Sequence, residues 1–224
     1  MEPMTSFQEA RTAFFDKIYT IDQHVNALQK IIESTGEPLE GNCFYEHQTL
    51  KFRNELLPKQ LNLFWAGFQS KTHICEIGFN ASHSALLFCM ANPALEKLTI
   101  FDLFSHTYTH PTLDYLLKEF PSVSVDICPG DSKVTLPMFF KKCPEFIGIY
   151  DLVHVDGGHT EDCIANDMIF ADRLVKVNGI LIIDDTDNKI INSYTNKYIA
   201  TGSYKEIQIL ETPMYSHRML LKLH

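Results

Sequence analysis

Hydrophobic and polar positions follow two different rhythms along this chain of 224 residues. Between Phe7 and Ile32, apolar residues recur every three or four positions, which predicts one long helix with a single apolar face. A second helical pattern covers residues 50–68 and is interrupted near Pro58. We interpret residues 1–70 as an N-terminal helical extension. Its apolar stripe packs on its own domain, or it forms a lid or a homodimer contact; the pattern leaves these alternatives open.

From residue 71 onward, short apolar runs alternate with helical patterns, and each run contains or ends at an acid. These acids, spaced by 25 to 29 residues, are Glu76, Asp102, Asp131, Asp156 and Asp184. The spacing fits a strand plus a crossover helix, and continuous apolar runs are typical of a parallel sheet covered on both faces. The helices are predicted over residues 83–90, 111–120, 134–142 and 163–175.

The end of the chain predicts a helix followed by a hairpin. Residues 188–200 have a helical pattern, and residues 205–211 and 217–223 form two strand patterns around a turn at 212–216. A hairpin makes one terminal strand antiparallel to its neighbour. The predicted fold class is therefore α/β: a doubly wound, seven-stranded, mostly parallel, Rossmann-like sheet over residues 71–224.

Composition narrows the classes of partner. The formal charge is −9 and no run of Lys or Arg occurs, which argues against binding to nucleic acid or to an anionic membrane. No apolar run is long enough to span a bilayer, and the polar N-terminal residues do not resemble a signal peptide. The six cysteines are scattered without a C-x-x-C pair. We expect a cytoplasmic protein with reduced thiols that acts on a small-molecule substrate.

The first turn of the α/β part suggests a nucleoside pocket. Gly78 follows the first strand, and small residues up to Ser84 lead into a helix whose free N–H groups suit polar ligand groups. Asp102 ends the next strand, where a carboxylate can accept hydrogen bonds from ribose hydroxyls, and Asp131 is placed to reach the attached base. The G-x-G-x-x-G motif of dinucleotide sites is missing, which argues against a pyrophosphate.

These motifs together resemble the class I S-adenosylmethionine-dependent methyltransferases, and in particular the type called methyltransferase family 24. The matching segments are EIGFNASHSA, FD, GDS, DLVHVDGGH and NGILIIDD, and the resemblance covers about residues 72–223. Two positions differ. Ser82 stands where the family usually has its third glycine, and is accommodated if its φ angle is ordinary. Asn178 stands where proline or glycine is usual.

The resemblance implies which residues contact S-adenosylmethionine: Glu76, Gly78, Asn80, Ser84, Asp102, Asp131, Ser132 and Asp156. Glu76 would organise the first turn near the methionine end, and Asp102 would hold the ribose. Asp131 and Ser132 would lie beside the adenine, and Asp156 at the reaction centre. For each acid the alternative is an exposed carboxylate at a strand end, or a helix cap.

A cluster of carboxylates predicts the catalytic half of the site. Asp156, Asp184 and Asp185 would repel one another unless a positive group lies among them, and a Mg²⁺-type ion would relieve the repulsion. The resemblance implies the same metal ligands. His159 lies three residues after Asp156, and we interpret it as the general base that removes the acceptor proton. The alternative is that Asp185 and Asp187 cap the following helix and that His159 is a loop histidine.

The expected function is therefore O-methylation of a small-molecule or sugar hydroxyl with S-adenosylmethionine, assisted by Mg²⁺ if the cluster binds it. Two alternatives remain open. A nicotinamide-dependent oxidoreductase would share the fold class, but the missing glycine motif argues against it. A non-catalytic module could retain the cofactor pocket, but it would not need the three clustered aspartates.

Overall fold

The computed structural model describes residues 7–46, 48–207 and 217–224. The N-terminal extension contains helices α1 (Phe7–Asp16), α2 (Ile18–Thr35) and α3 (Leu57–Gln69). The strands that follow are β1 (His73–Ile77), β2 (Lys97–Asp102), β3 (Ser124–Pro129), β4 (Tyr150–Val155), β5 (Val175–Ile183), β6 (Tyr204–Ile207) and β7 (Arg218–Lys222). The helices among them are α4 (His83–Ala91), α5 (Thr109–Glu119), α6 (Ser132–Lys142), α7 (Glu161–Leu174) and α8 (Lys189–Ala200).

The sheet has seven strands in the order β3-β2-β1-β4-β5-β7-β6. The first five in this order are parallel, and β7 is antiparallel to both β5 and β6. The predicted fold class and terminal antiparallel pair are therefore confirmed, while the turn predicted at 212–216 lies outside the described residues. The strand order reverses between β1 and β4, so a crevice opens at their C-terminal ends.

The prediction of one long N-terminal helix is wrong, because the chain breaks at Lys17. That residue has φ −98° and ψ 0°, and its ammonium group donates to the carbonyl of Met90 at 2.6 Å. The helical stretch predicted over residues 50–68 is interrupted just before Pro58, where the short 3-10 helix Asn54–Leu56 gives way to α3. Helix α3 begins at Leu57, so the proline lies in the first turn, where its missing N–H costs no helical hydrogen bond.

The apolar stripe of the extension packs on its own domain. Six of the eight stripe residues are at most 4% exposed, and Phe7 and Ile18 are partly buried against the same core. The six are Ala10, Phe14, Ile21, Val25, Leu28 and Ile32. They belong to one core cluster that also contains residues of β1, β2 and β4. This burial confirms the self-packing alternative and leaves the stripe unavailable to a second chain. A homodimer through this helix stays a prediction without that support.

Helix α3 connects the extension to the sheet by a close contact with α4. A Cβ atom at Gly67 would lie 3.1 Å from both the Cβ of Ala91 and the Cα of Phe88. Only a glycine permits the two helices to approach this closely, so α3 is held firmly against the site-bearing part of the fold. The division of the chain at residue 70 stays a prediction. Over the described ranges, no helix combines the length and hydropathy needed to cross a bilayer.

Candidate active site

A cavity of about 290 Å³ opens at the C-terminal ends of the central strands. Its lining contains most of the predicted site residues: Gly78, Asn80, Asp102, Ser132, Asp156, His159 and Asp185. A smaller cavity of about 20 Å³ adjoins it and is lined by Lys59, Ser84 and His154, among others. The two cavities share Gly41, Gly78, Asn80 and Asp156 in their walls. Strand ends that are far apart in sequence therefore meet around one site, as the alternation of strands and acids predicts.

The loop after β1 has an unusual backbone. Gly78 has φ +91°, and a Cβ atom there would lie 1.9 Å from the carbonyl oxygen of Asp156. Asn80 and Ser82 also have positive φ angles, of 52° and 68°. The condition of an ordinary φ angle at Ser82 is therefore not met. Asn178, with φ 64°, likewise adopts a conformation that suits glycine. Such conformations cost free energy and cluster at ligand-binding loops, which is consistent with a ligand site here.

Replacing Gly78 with alanine is expected to lower the free energy of unfolding by about 3 kcal/mol, because strain at positive φ adds to a backbone clash. Urea denaturation followed by circular dichroism measures the change. Gly36→Ala is the matched control, since Gly36 has φ +72° and open space around its missing side chain. Equal losses in both variants would show that the clash with Asp156 is absent.

Asp102 fixes the same loop. One carboxylate oxygen accepts from the backbone N–H groups of Phe79 at 2.8 Å and Asn80 at 3.0 Å, and the other accepts from Phe104 at 2.6 Å. A carboxylate has about four lone-pair positions, so these bonds leave capacity on the cavity side for a hydroxyl group. Asp102 therefore has a structural role in addition to the predicted contact with the ribose.

The acid after β3 caps a helix, and its predicted contact with the adenine stays a prediction. Asp131 is the N-cap of α6 and accepts from the N–H of Lys133 at 2.9 Å, so the helix-cap alternative describes its geometry. Its neighbours Gly130 and Ser132 line the larger cavity. Gly130 and Ser132 thus contribute to the cavity wall, and the predicted contact of Ser132 with the adenine stays a prediction.

The N-terminal extension closes one side of the cavity. The side-chain amide of Asn80 donates to the carbonyls of Glu40 and Gly41, and both of these residues line the larger cavity. Glu37 secures the segment by accepting from the backbone N–H of Thr107 at 2.7 Å and by pairing with the ring of His106 at 2.7 Å. Hydrogen bonds from Thr107 and His106 lower the pKa of Glu37 to about 2. The extension is therefore part of the site.

Glu76 lies in the protein interior and acts on the cavity through two neighbours. One oxygen accepts from the hydroxyl of Ser84 and pairs with Nδ1 of His154 at 2.9 Å. The other oxygen is buried and has no hydrogen-bond partner among the described residues. Burial opposes the charge on His154, but the bond to Glu76 outweighs it and raises the pKa of His154. The core histidine predicted inside β4 thus belongs to a buried ion pair beneath the small cavity.

Lys59 is the functional residue that sequence reasoning missed. Its ammonium group forms an ion pair with Asp184, and both side chains are nearly inaccessible to solvent. Burial alone would raise the pKa of Asp184, but the charge of Lys59 holds it below its usual range. A signal was present in the sequence: apart from Gln60 and Asn62, residues 60–68 of α3 are apolar, which is typical of a helix buried on most of its faces. A lysine there needs a buried partner.

The three aspartates predicted to share a metal line one small cavity, but their carboxylates have different partners. Asp156 and Asp184 lie near His154, with one ligand atom from each residue within 4.8 Å of the others. Burial and the charge of Asp184 raise the pKa of Asp156. Asp185 instead has φ 52°, and its carboxylate pairs with Nε2 of His159 at 2.7 Å. The carboxylate of Asp185 therefore faces His159 in this structure, although Asp185 lines a small cavity together with Asp156 and Asp184. The predicted metal set of Asp156, Asp184 and Asp185 stays a prediction.

His159 and Asp185 form a partly exposed pair on the wall of the larger cavity. The hydrogen bond that His159 donates to Asp185 raises the pKa of His159, and burial only partly opposes it. The N-cap of α8 is Asn188, so neither Asp185 nor Asp187 occupies the N-cap position. A carboxylate that orients an imidazole is a common arrangement for a general base, and it agrees with the predicted role of His159.

Comparisons with known proteins agree with this geometry. Residues 75–186, half of the chain, match methyltransferase family 24, which is described as a methyltransferase domain. A search of curated proteins found no match. The fold is similar to that of the O-methyltransferase TomG from Streptomyces achromogenes in complex with SAM, at 15% identity, with 90% of each chain covered and a TM-score of 0.62.

Two further solved structures have the same fold. An O-methyltransferase from Bacillus cereus in complex with SAH is 12% identical, covers 96% of this chain and 100% of its own, and has a TM-score of 0.62. The TDP-rhamnose 3'-O-methyltransferase CalS11, from calicheamicin biosynthesis, is 16% identical, covers 75% and 81%, and has a TM-score of 0.58. Identities this low support the fold alone. Because the family match spans half of its length, the chain belongs to methyltransferase family 24.

Proposed function

We propose that this protein transfers the methyl group of S-adenosylmethionine to a hydroxyl oxygen of a small molecule or a sugar. The observation that carries the proposal is the pair of His159 and Asp185 on the wall of the same cavity that Gly78 and Asp102 line. That arrangement joins a candidate proton acceptor to a candidate nucleoside pocket. A hydroxyl acceptor needs such a base, because its proton must leave as the oxygen gains the methyl group.

The residues present fit S-adenosylmethionine. The cavity of about 290 Å³ is bounded by Asp102, which retains capacity for a ribose hydroxyl, and by Ser132 on the side proposed for the adenine. Asp156 lines both cavities, so its carboxyl group is available to the sulfonium and amino groups of the ligand. When bound, the cofactor supplies a methyl group on a positively charged sulfur.

His159 is proposed to take the acceptor proton on Nδ1. Its Nε2 pairs with Asp185 at 2.7 Å, so in the neutral tautomer Nε2 carries the hydrogen and Nδ1 has a free lone pair. Transfer breaks the bond between sulfur and methyl, forms the bond between oxygen and methyl, and leaves the hydroxyl proton on the imidazole. The products are the methylated acceptor and S-adenosylhomocysteine. The walls of the cavity hold the reactants in line.

The arrangement around Asp184 does not fit Mg²⁺. The ammonium of Lys59 already occupies a carboxylate oxygen of Asp184, and Asp185 is bonded to His159. His154, the third group near Asp156 and Asp184, has Nδ1 engaged by Glu76. Mg²⁺ prefers oxygen ligands in octahedral geometry, and an adjacent ammonium would repel it. The proposed chemistry therefore uses no step through a metal.

Two observations favour a methyltransferase over the alternatives. The β1 loop lacks G-x-G-x-x-G, which disfavours a nicotinamide-dependent oxidoreductase. The pair of His159 and Asp185 disfavours a purely binding role, because a module without chemistry does not need an oriented base. The sugar acceptor named for CalS11 and the O-methyltransferase named for TomG support a hydroxyl acceptor here.

Calorimetric titration with S-adenosylhomocysteine tests the cofactor. We expect one binding site, and we expect Asp102→Ala to weaken binding by about 10- to 100-fold because it removes a charge-assisted hydrogen bond to the ligand. Asp114→Ala, at an exposed acid on α5, is the matched control and should bind normally. If NADH binds and S-adenosylhomocysteine does not, the oxidoreductase replaces this proposal. If neither ligand binds, the cofactor proposal falls.

A further inference from the structure

The charges around the end of β5 are balanced by the chain itself. Three carboxylates lie near the ends of β1, β4 and β5: those of Glu76, Asp156 and Asp184. Two of them form ion pairs, Asp184 with Lys59 and Glu76 with His154. Burial lowers the tendency of Lys59 to carry charge, but Asp184 and Asp156 outweigh it and raise the pKa of Lys59. Asp156 is thus left as the one acid of this group without a formal ion pair in the described part of the chain. The repulsion that predicted a metal is already largely relieved.

The ammonium group of Lys59 also lies where a divalent metal ion would have to bind. It lines the small cavity together with His154 and Asp156, so its ammonium group lies beside the cluster of potential ligand atoms. A divalent ion that used Asp184 would have to displace the ammonium from a buried carboxylate. The displaced charge would then be buried without a partner, which costs far more than an exposed charge would.

The ion pair extends to the candidate base. One oxygen of Asp184 holds Lys59, and the other accepts from the backbone N–H of Asp185 at 3.0 Å. Asp185 in turn pairs with His159. Lys59 therefore fixes the strand end from which the carboxylate of Asp185 is directed at the imidazole. Because Lys59 comes from α3, the N-terminal extension supplies a side chain without which this arrangement is incomplete.

We propose that Lys59 is the built-in cation of this site, so that methyl transfer by this protein needs no divalent metal. The inference rests on the proposed methyl transfer for its chemical meaning. Lys59 is a positioning residue: it neutralises Asp184 and holds the peptide of Asp185. No metal ligand set is then required, because the cation that the acids need is covalently part of the chain.

The test compares metal binding in the wild type and in Lys59→Met, which keeps the length of the side chain and removes its charge. Titration with Mn²⁺, followed by electron paramagnetic resonance, should show no specific site in the wild type. Lys59→Met should gain one site, because Asp156 and Asp184 then lack a cation. Its Tm should fall by about 10 °C in chelator and recover in part with Mn²⁺. Lys51→Met, at an exposed ion pair with Glu46, is the control and should change neither quantity.

A double variant protects the test against misfolding. Lys59→Met combined with Asp184→Asn removes both charges, so it should recover part of the lost Tm and should not bind Mn²⁺. The proposal is overturned if the wild type binds one Mn²⁺ that Asp184→Asn abolishes. It is equally overturned if Lys59→Met folds and gains no site. Failure of S-adenosylhomocysteine to bind any variant would instead contradict the proposed function, while the Mn²⁺ titration would still decide the role of Lys59.

Discussion

Replacing His159 with glutamine is expected to lower the rate of methyl transfer by about 10²- to 10⁴-fold, the usual contribution of a general base. The affinity for S-adenosylhomocysteine should stay close to that of the wild type, because the imidazole is proposed to contact the acceptor proton. Production of S-adenosylhomocysteine, measured with the first active compound from a panel of phenols and sugars, gives the rate. His224→Gln, at an exposed histidine, is the control. Full activity in His159→Gln would show that His159 is not the general base.

The dependence on pH should follow from the hydrogen bond between His159 and Asp185. This bond raises the pKa of His159 above 6.5, and the nearby charges of Asp184 and Asp187 act in the same direction. A base works only when it is unprotonated, so kcat/KM should fall as pH decreases through this raised pKa. Asp185→Asn removes the charged acceptor and should move the acidic limb to lower pH. An unchanged limb in that variant would show that a different group titrates.

Replacing Glu76 with leucine is expected to lower the free energy of unfolding by about 3 to 5 kcal/mol, the usual cost of removing one partner from a buried ion pair. Glu76 and His154 are both fully buried, and the hydroxyl of Ser84 would lose its acceptor as well. Urea denaturation measures the loss. The double variant Glu76→Leu/His154→Leu is the matched control, because it removes both charges of this pair and should recover much of the stability.

The same pair makes stability depend on pH. The pKa of His154 is higher in the folded protein than in the unfolded chain. Its stabilising contribution is therefore complete below pH about 6.5, the pKa of the unfolded chain, and is lost as pH rises through the folded value. Glu76→Leu should abolish that part of the pH dependence. A single variant that matches the wild type in stability at every pH would mean that the ion pair contributes nothing.

The acids at the strand ends could be predicted from sequence because the sheet imposes a simple geometry. In a parallel sheet the C-terminal ends of strands meet at one edge, so residues such as Asp102, Asp156 and Asp184 are brought together by the alternation of strands and helices alone. The base His159 could be proposed for the same reason, since it lies in the loop that directly follows β4. Periodicity and strand order therefore suffice to predict this part of the site.

What could not be predicted depends on single backbone angles and on distant contacts. Asp185 follows Asp184 directly, yet a φ angle of 52° directs its side chain to His159. Lys59 meets Asp184 across 125 residues of sequence, through the packing of α3 on the sheet. The sequence around Asp185 or Lys59 contains no local pattern that identifies the partner of either side chain. The helix cap at Asp131 could be predicted from the sequence, because an aspartate directly before a helix is a common N-cap.

The N-terminal extension also combines a feature that the sequence predicts with one that it does not. The stripe from Phe14 to Ile32 identified the buried face correctly, but its regular spacing did not reveal the break at Lys17. A single non-helical residue leaves the spacing of three and four positions almost intact. Periodicity therefore predicts which side chains are buried better than it predicts where a helix begins or ends.

A crystal structure with S-adenosylhomocysteine tests the central claim most directly. The account predicts the ribose beside Asp102, the adenine near Ser132 and the sulfur facing Asp156, with His159 across the cavity and the ammonium of Lys59 on Asp184. The contrary result is a ligand bound outside this cavity, or a metal ion between Asp156 and Asp184 with Lys59 displaced.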